Sequence, residues 1–187
     1  AHPGRSPPYP LRRPGQRARR VPARAIRSLD ATLPPLAPMT ACLSISPYGP
    51  DDAEPTHDVF LRAVRTTACH DYTPEQVAVW TSRAGDLDDW DARRHTTRTF
   101  VARRNGTVVG FTDLGRDGHI DMLFVAPEAG RTGVGTALLA HVRRLARADG
   151  RERHTVHASV PARPLFERHG ITVVEPRAPE LDGVALP

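Results

Sequence analysis

The stretch 118-GHIDMLFVAPEAGRTGVGTALLAHVRRLARADG-150 decides the fold. Residues 118–125 carry apolar or β-branched side chains on both faces, which predicts a buried strand. From Gly133 onward, apolar residues recur at helical spacing, and Gly150 follows a basic last turn, where a C-terminal cap is expected. The stretch therefore predicts a strand, a glycine-spaced loop and a helix.

The first turn of this helix contains no acidic residue. Residues 133–136 lack the Asp or Glu that would complement the partial positive charge of a helix N-terminus, and Arg131 adds to that charge. Glycines at 130, 133 and 135 remove the Cβ atoms that would keep an oxyanion from the backbone N–H groups, which predicts a phosphate or pyrophosphate site. A loop in which the glycines serve only a tight turn and close packing is the alternative.

The rest of the chain predicts the element order β-α-α-β-β-β-α-β-α-β. Strands are expected at 43–46, 153–159 and 171–175, helices at 51–67, from 74 onward and at 161–170, and a hairpin around Asn105-Gly106. Residues 81–97 are polar and irregular and predict a loop. Hairpins followed by a βαβ unit predict an α+β fold with a sheet of mixed direction.

Other phosphate-binding folds do not match this pattern. A Rossmann fingerprint requires GxGxxG at the strand end and an acidic residue about 20 positions on, and a P-loop requires GK[ST]. Here the glycines run GxxGxG, and the next strand ends in Ser159.

From about residue 41 to 185 the sequence resembles the GNAT superfamily of N-acetyltransferases. The segment 130-GRTGVG-135 aligns with that family's [Q/R]-x-x-G-x-[G/A] motif, and 159-SVPARPLFERHGI-171 follows its later N-x-x-A-x-x-x-Y-x-x-x-G-F frame. The resemblance implies a mixed, mostly antiparallel sheet flanked by helices. It also implies acetyl transfer from acetyl-CoA, as co-substrate, to the amine of a small molecule or peptide, by direct attack in a ternary complex.

The resemblance assigns the co-substrate to the strand end, the glycine loop and the later motif. The implied cofactor-binding residues are Leu123, Phe124, Val125, Gly130, Arg131, Thr132, Gly133, Val134, Gly135, Thr136, Ser159 and Phe166.

Three departures from the family pattern stand out. Gly130 replaces the usual Gln or Arg. Phe166 stands where many members carry a tyrosine that protonates the departing thiolate, and a phenyl ring has no proton to give. The chain ends in GVALP, which predicts that the last strand is truncated.

An amine acceptor requires a base, because a primary amine with a pKa near ~10 is mostly protonated at neutral pH. Asp121 shares a strand face with Leu123 and Val125, where burial would raise its pKa, and is the first candidate. His157 on the next strand is the second. A structural carboxylate and a packed core histidine are the alternatives. The resemblance implies that Trp80 and Trp90 border the acceptor site, and a core position for Trp80, at helical spacing from Val77, is the alternative.

The N-terminal 38 residues differ from the rest. They hold 9 of the 19 prolines and 8 of the 26 basic residues with one acid, so 18 Arg face 20 acidic residues in 39–187. We expect 1–38 to be a disordered or spurious extension, with Met39 as a natural start, and 39–187 to be the acetyltransferase domain. The segment lacks the apolar run of a secretory signal, while its composition leaves a transit peptide open.

Several partner classes are disfavoured. Two cysteines 27 residues apart and scattered histidines predict no disulfide and no metal, and no apolar stretch approaches membrane length. We therefore expect a cytoplasmic protein without nucleic-acid or membrane partners; a homodimer stays open. The rival functions are a non-catalytic acyl-CoA-binding or sensing domain, which Phe166 favours, and an Arg-tailed nucleic-acid binder, which the near-neutral remainder disfavours.

Overall fold

The structure is a computed structural model that describes residues 42–151, 155–175 and 178–186. The predicted N-terminal extension lies outside these residues. The helices are α1 (Ala53–Arg62), α2 (Pro74–Ser82), α3 (Leu87–Thr96), α4 (Val134–Ala148) and α5 (Arg163–Arg168). The strands are β1 (Leu43–Pro47), β2 (Arg98–Arg104), β3 (Thr107–Leu114), β4 (His119–Ile120), β5 (Leu123–Val125), β6 (Thr155–Val156), β7 (Glu180–Leu181) and β8 (Val184–Ala185).

The central sheet has the strand order β1-β2-β3-β5 and is antiparallel throughout. Strands β2 and β3 form the predicted hairpin, in which Asn105 and Gly106 have φ angles of 52° and 83°. Positive φ at both positions suits a type I′ turn, so this prediction is confirmed.

The predicted strand at 118–125 is divided in two. Its first part, β4, pairs in parallel with β6, and its second part, β5, pairs antiparallel with β3. Strand structure in this segment was therefore predicted, but the break at residues 121–122 was not. Each half of the segment pairs with a different strand.

The prediction of a loop at 81–97 is wrong, because α3 occupies most of it. The Asp86 side chain accepts a hydrogen bond from the Asp89 amide and caps the helix. Only Trp90 and Arg94 of α3 are buried. Trp90 is thus the single apolar residue on the buried face of α3, and one residue gives too weak a periodicity for the helix to be recognised.

The strand predicted at 171–175 is also absent, and Val174 is 95% exposed there. A short hairpin instead joins β7 to β8 through Asp182 and Gly183, which have φ angles of 49° and 79°. Apolar, β-branched composition predicted a strand, but a strand requires a partner edge as well.

Hydrophobic clusters cover the two faces of the sheet. One contains Phe60 of α1 and Trp90 of α3, and the other contains Leu139 of α4 and Phe166 of α5. Helices therefore flank a mostly antiparallel sheet, and the α+β class is confirmed. No helix in the described part of the chain combines the length and apolar character needed to cross a bilayer.

Candidate active site

The glycine loop connects β5 to α4. After Val125 a 3-10 turn spans Pro127–Ala129, and Gly133 is the N-cap of α4 with φ 88°. The first helical hydrogen bond runs from the Ala137 amide to the Gly133 carbonyl at 2.9 Å, so the amides of residues 134–136 have no intrahelical acceptor. No acid lies in this turn. The loop presents backbone donors and a partial positive charge, as the sequence predicted.

The three glycines have different roles in the structure. A Cβ atom at Gly133 would meet nothing within 4 Å, whereas one at Gly135 would lie 3.0 Å from Leu165 Cδ2 and one at Gly130 would lie 3.1 Å from the Pro127 carbonyl. Only Gly133 thus keeps open space clear in front of the loop. Close packing, the alternative role, is therefore supported at Gly130 and Gly135, and the path for an oxyanion stays a prediction.

Contacts on both sides fix the loop. Thr132 donates to the Ala129 carbonyl at 2.7 Å, and Arg104 of β2 donates to the Thr132 hydroxyl at 3.0 Å. Arg131 has a left-handed backbone with φ 60°, unusual for a residue with a side chain. Arg104 is a second cation at the loop that the sequence did not indicate, since it lies on another strand.

The turn before the loop is tied to α1. Arg62 donates to both carboxylate oxygens of Glu128, at 2.9 and 2.8 Å, and to Asp58 at 2.7 Å. The hydrogen bonds from Arg62 hold the pKa of Glu128 below its ordinary value. The loop is therefore anchored before any ligand binds.

Strand β5 has an open edge. It lies last in the sheet order, with β3 on one side and no paired strand on the other among the described residues. The flanking bonds, Asp113 amide to Met122 carbonyl and Ala126 amide to Val109 carbonyl, fix which residues face β3. By antiparallel alternation, the Leu123 and Val125 main chains point to the open side and that of Phe124 points to β3.

The later family motif, 159–171, follows β6 in the chain. Ser159 is the N-cap of a 3-10 turn at Val160–Ala162, and the Val160 amide donates to the Tyr72 hydroxyl at 3.1 Å. Phe166 is 3% exposed in the cluster under α4. Its predicted contact with a co-substrate is not supported by this position, because the ring packs inside the core.

Asp121 and His157 lie on the same side of the β4–β6 pair. Ile120 and Val156 pack into the cluster of α4, so residues at alternate positions face the opposite side. The rings of His119 and His157 are 4.8 Å apart there. Asp121 and His157 are both exposed, which corrects the expectation of a buried Asp121. The break after β4 turns Asp121 out of the apolar face.

A different carboxylate is buried beside this break. Asp113 of β3 is 1% exposed and pairs with Arg94 of α3, itself 4% exposed, at 3.2 Å. Burial raises the pKa of Asp113, while the Met122 amide and the Arg94 charge act in the opposite direction. Neither residue was predicted from the sequence. An Asp within the apolar run VVGFTDL was the available signal.

The two tryptophans differ in position. Trp90 is 0% exposed, and its indole donates to Thr56 at 2.9 Å, so it is a core residue and cannot form a wall of an acceptor site. Trp80 is half-buried between Tyr72 and Phe124, with ring centroids 5.1 and 6.3 Å away. Of the two, only Trp80 keeps the surface that a border residue requires.

A cationic groove lies along the middle and C-terminal part of α4. Arg143 donates to the His169 carbonyl at 2.7 Å, and the His169 ring lies 3.3 Å from the Thr136 hydroxyl. The groove is lined by Leu139, Ala140, Arg143, Arg144, Arg147 and His169. Within the described residues, no three His, Cys, Asp or Glu side chains are arranged to hold a metal ion.

Comparisons with known proteins agree with this geometry. Residues 68–185 match the acetyltransferase (GNAT) domain family. The uncharacterized N-acetyltransferase YafP of Escherichia coli (strain K12) is 37% identical over 142 residues, which cover 75% of this chain and 89% of YafP. The chain therefore belongs to the GNAT family of N-acetyltransferases, as the resemblance predicted.

Solved structures support the same assignment. A GCN5-related N-acetyltransferase from Rhodopseudomonas palustris has a TM-score of 0.75 and 33% identity, covering 79% of this chain and 93% of its own. The PaiA N-acetyltransferase from Thermoplasma acidophilum, solved with coenzyme A, has a TM-score of 0.62 at 15% identity, covering 78% and 96%. The second likeness concerns the fold alone.

Proposed function

We propose that this chain transfers an acetyl group from acetyl-CoA to the amine of a small molecule or peptide, by direct attack in a ternary complex. The open edge of β5, which runs into the anchored glycine loop, is the observation that carries the proposal. Family membership supports acetyl transfer in general terms.

The donor groups follow one another in the order that acetyl-CoA requires. The free amides of residues 134–136 suit a pyrophosphate, and Arg104 and Arg131 add positive charge beside it. Outward main-chain groups of Val125 and then Leu123 suit the amides of a pantetheine arm, which would pair as an added strand. The thioester would then lie near Leu123, next to Asp121.

The cationic groove suits the remaining phosphate of the co-substrate. The adenosine of coenzyme A carries a 3′-phosphate dianion, and Arg143, Arg144 and Arg147 surround the groove beyond Thr136. If the 3′-phosphate binds in this groove, the positive charge of the three arginines would favour acetyl-CoA over its 3′-dephospho form.

The acceptor would approach on the side where Asp121 and His157 are exposed. Acetyl-CoA supplies an activated acyl thioester. Asp121, or His157 if the carboxylate is not the base, takes a proton from the protonated amine, and the neutral nitrogen then attacks the carbonyl carbon. The second proton that this nitrogen loses on becoming an amide passes to water or to the departed thiolate. The C–N bond forms and the C–S bond breaks, and the Leu123 N–H stabilises the oxyanion that develops between these events.

Phe166 provides no acid for the leaving group. A thiol with a pKa of about 8.5, by analogy with cysteine, leaves as the thiolate at tolerable cost near neutral pH. Phe166 also favours the second candidate function, an acyl-CoA sensor without turnover. Its buried phenyl ring supplies no proton donor at the position where many family members carry a tyrosine.

A thermal-shift titration with acetyl-CoA, followed by a thiol-release screen over amine classes, tests the proposal. Polyamines, amino acids, aminoglycosides and peptide N-termini form the panel, and acetyl-CoA without amine is the control. Stabilisation together with amine-dependent thiol release supports acetyl transfer. Stabilisation without release for every amine would support the sensor, and no stabilisation would contradict both.

A further inference from the structure

Fold stability alone does not explain the buried pair of Arg94 and Asp113. Moving two charges into the interior carries a large desolvation penalty, and well-packed apolar residues at such positions are often as stable or more so. Arg94 Nε is buried and makes no hydrogen bond in the described structure. A pair that is not optimal for stability points to another role.

The Asp113 side chain accepts hydrogen bonds in place of the main chain of the same residue. Its Oδ1 atom accepts from two successive amides, those of Asp121 at 3.0 Å and Met122 at 2.9 Å. The Asp113 amide meanwhile donates to the Met122 carbonyl at 3.1 Å, as in an antiparallel ladder. The side chain thus replaces the main-chain carbonyl as acceptor for Met122.

This substitution occurs at the break between β4 and β5. A carboxylate reaches farther than a backbone carbonyl and accepts two amides at once, so residues 121–122 can bend away from β3 without losing hydrogen bonds. Strand β4 can then stay with β6 while β5 stays with β3. The outer edge of β5 is then left unpaired among the described residues, and this edge borders the proposed cleft.

The peptide of Met122 is held from further directions. The Thr112 hydroxyl donates to the Met122 carbonyl at 2.9 Å, and Arg94 Nη1 lies 2.7 Å from the Met122 sulfur. The Arg94 guanidinium also stacks 4.9 Å from the Trp90 ring centroid. Because the Met122 peptide precedes the Leu123 N–H, fixing this peptide fixes the direction of that N–H.

We infer that Asp113, paired with Arg94, is a positioning residue that bends the chain at Asp121–Met122 and aims the Leu123 N–H at the thioester carbonyl. The role of the Leu123 N–H toward the thioester rests on the proposed function, whereas the bend at Asp121–Met122 rests only on the geometry of the described residues. It assigns a catalytic consequence to a carboxylate that touches neither substrate.

Two double variants separate this role from that of an ordinary ion pair. Asp113→Asn with Arg94→Met removes both charges and keeps an amide-accepting oxygen. Asp113→Leu with Arg94→Met removes the charges and the acceptor. If the Leu variant does not fold, Asp113→Ala in the same background replaces it.

Amide hydrogen exchange by NMR, without acetyl-CoA, is the first measurement. We expect the Asn variant to protect the Asp121 and Met122 amides within about threefold of wild type, and the Leu variant to exchange both at least about tenfold faster. Equal protection in the two variants would overturn the bend assignment, whether or not the chain proves to be an acetyltransferase.

Turnover and acetyl-CoA affinity, measured with an amine from the screen, form the second measurement. The Leu variant should lose about 10²-fold in kcat, as expected when an oxyanion donor is misdirected, with acetyl-CoA Kd within about threefold. The Asn variant should keep kcat within about fivefold. A Leu variant with wild-type kcat despite fast amide exchange would overturn the catalytic part.

Discussion

Replacing Gly133 by alanine tests the anion site at the start of α4, and Gly150 provides a matched control at the other end of the same helix. Both residues have left-handed backbones, with φ angles of 88° and 74°, and an added Cβ at either position meets nothing within 4 Å. Alanine in this conformation costs about 1–2 kcal/mol. Both variants should therefore lose the same stability, which corresponds to roughly 2–8 °C in melting temperature.

Of the two added methyl groups, only that of Gly133→Ala lies next in sequence to the amides of residues 134–136, so we expect it alone to hinder an anion there. Interaction of an anion with a helix N-terminus contributes up to about 2 kcal/mol, and a tenfold change in Kd corresponds to about 1.4 kcal/mol. We expect calorimetry at fixed ionic strength to show acetyl-CoA affinity reduced about tenfold or more in Gly133→Ala and within about twofold in Gly150→Ala. Wild-type affinity in a folded Gly133→Ala variant would refute the site. An equal loss of affinity in both variants would attribute the effect to lost stability.

Four further measurements address the base, the packing, the cationic groove and the N-terminal segment. Asp121→Asn should lower turnover roughly 10²-fold with little change in acetyl-CoA affinity, and an unchanged pH–rate profile would leave the carboxylate a structural role. Gly110→Ala should cost about 1–3 kcal/mol in denaturant unfolding, because its Cβ would lie 2.8 Å from the Phe124 carbonyl, whereas Gly49→Ala, whose nearest atom is 3.9 Å away, should be neutral. Arg147→Ala should reduce the preference for acetyl-CoA over its 3′-dephospho form, and equal binding of the two ligands by wild type would contradict a phosphate site in the groove. A chain starting at Met39 should keep its melting temperature and acetyl-CoA affinity, and a fall of several degrees would show that the removed residues stabilise the domain.

Local signals account for the parts of the fold that the sequence predicted. The Asn105-Gly106 turn and the helix after Gly133 are each specified by residues within a few positions of one another. Helix α3 had a local signal as well, an Asp86 cap with acids in the first turn and bases in the last. Its apolar periodicity was too sparse to support that signal.

The break after β4 could not be predicted in this way. The mainly apolar segment 118–125 is compatible with one continuous strand, and the carboxylate that binds the amides at its break belongs to β3, a different strand. The same break explains why Asp121 is exposed, whereas one continuous strand would place it on the face of Leu123 and Val125. Residues that act through long-range pairing leave only an indirect mark in the sequence, here a single Asp in an apolar strand.

The two ends of the proposed cleft carry charges of opposite sign. At the loop, Arg104 and Arg131 add to the positive end of α4, which favours the phosphates of the co-substrate. At the break, the charge of Arg94 balances that of Asp113, so the exposed carboxylate of Asp121 makes this end of the cleft negative. A protonated amine approaching that end is attracted by the carboxylate that would then accept its proton. Because each end of the cleft repels the other substrate, both can bind together in a single orientation, which direct attack in a ternary complex requires.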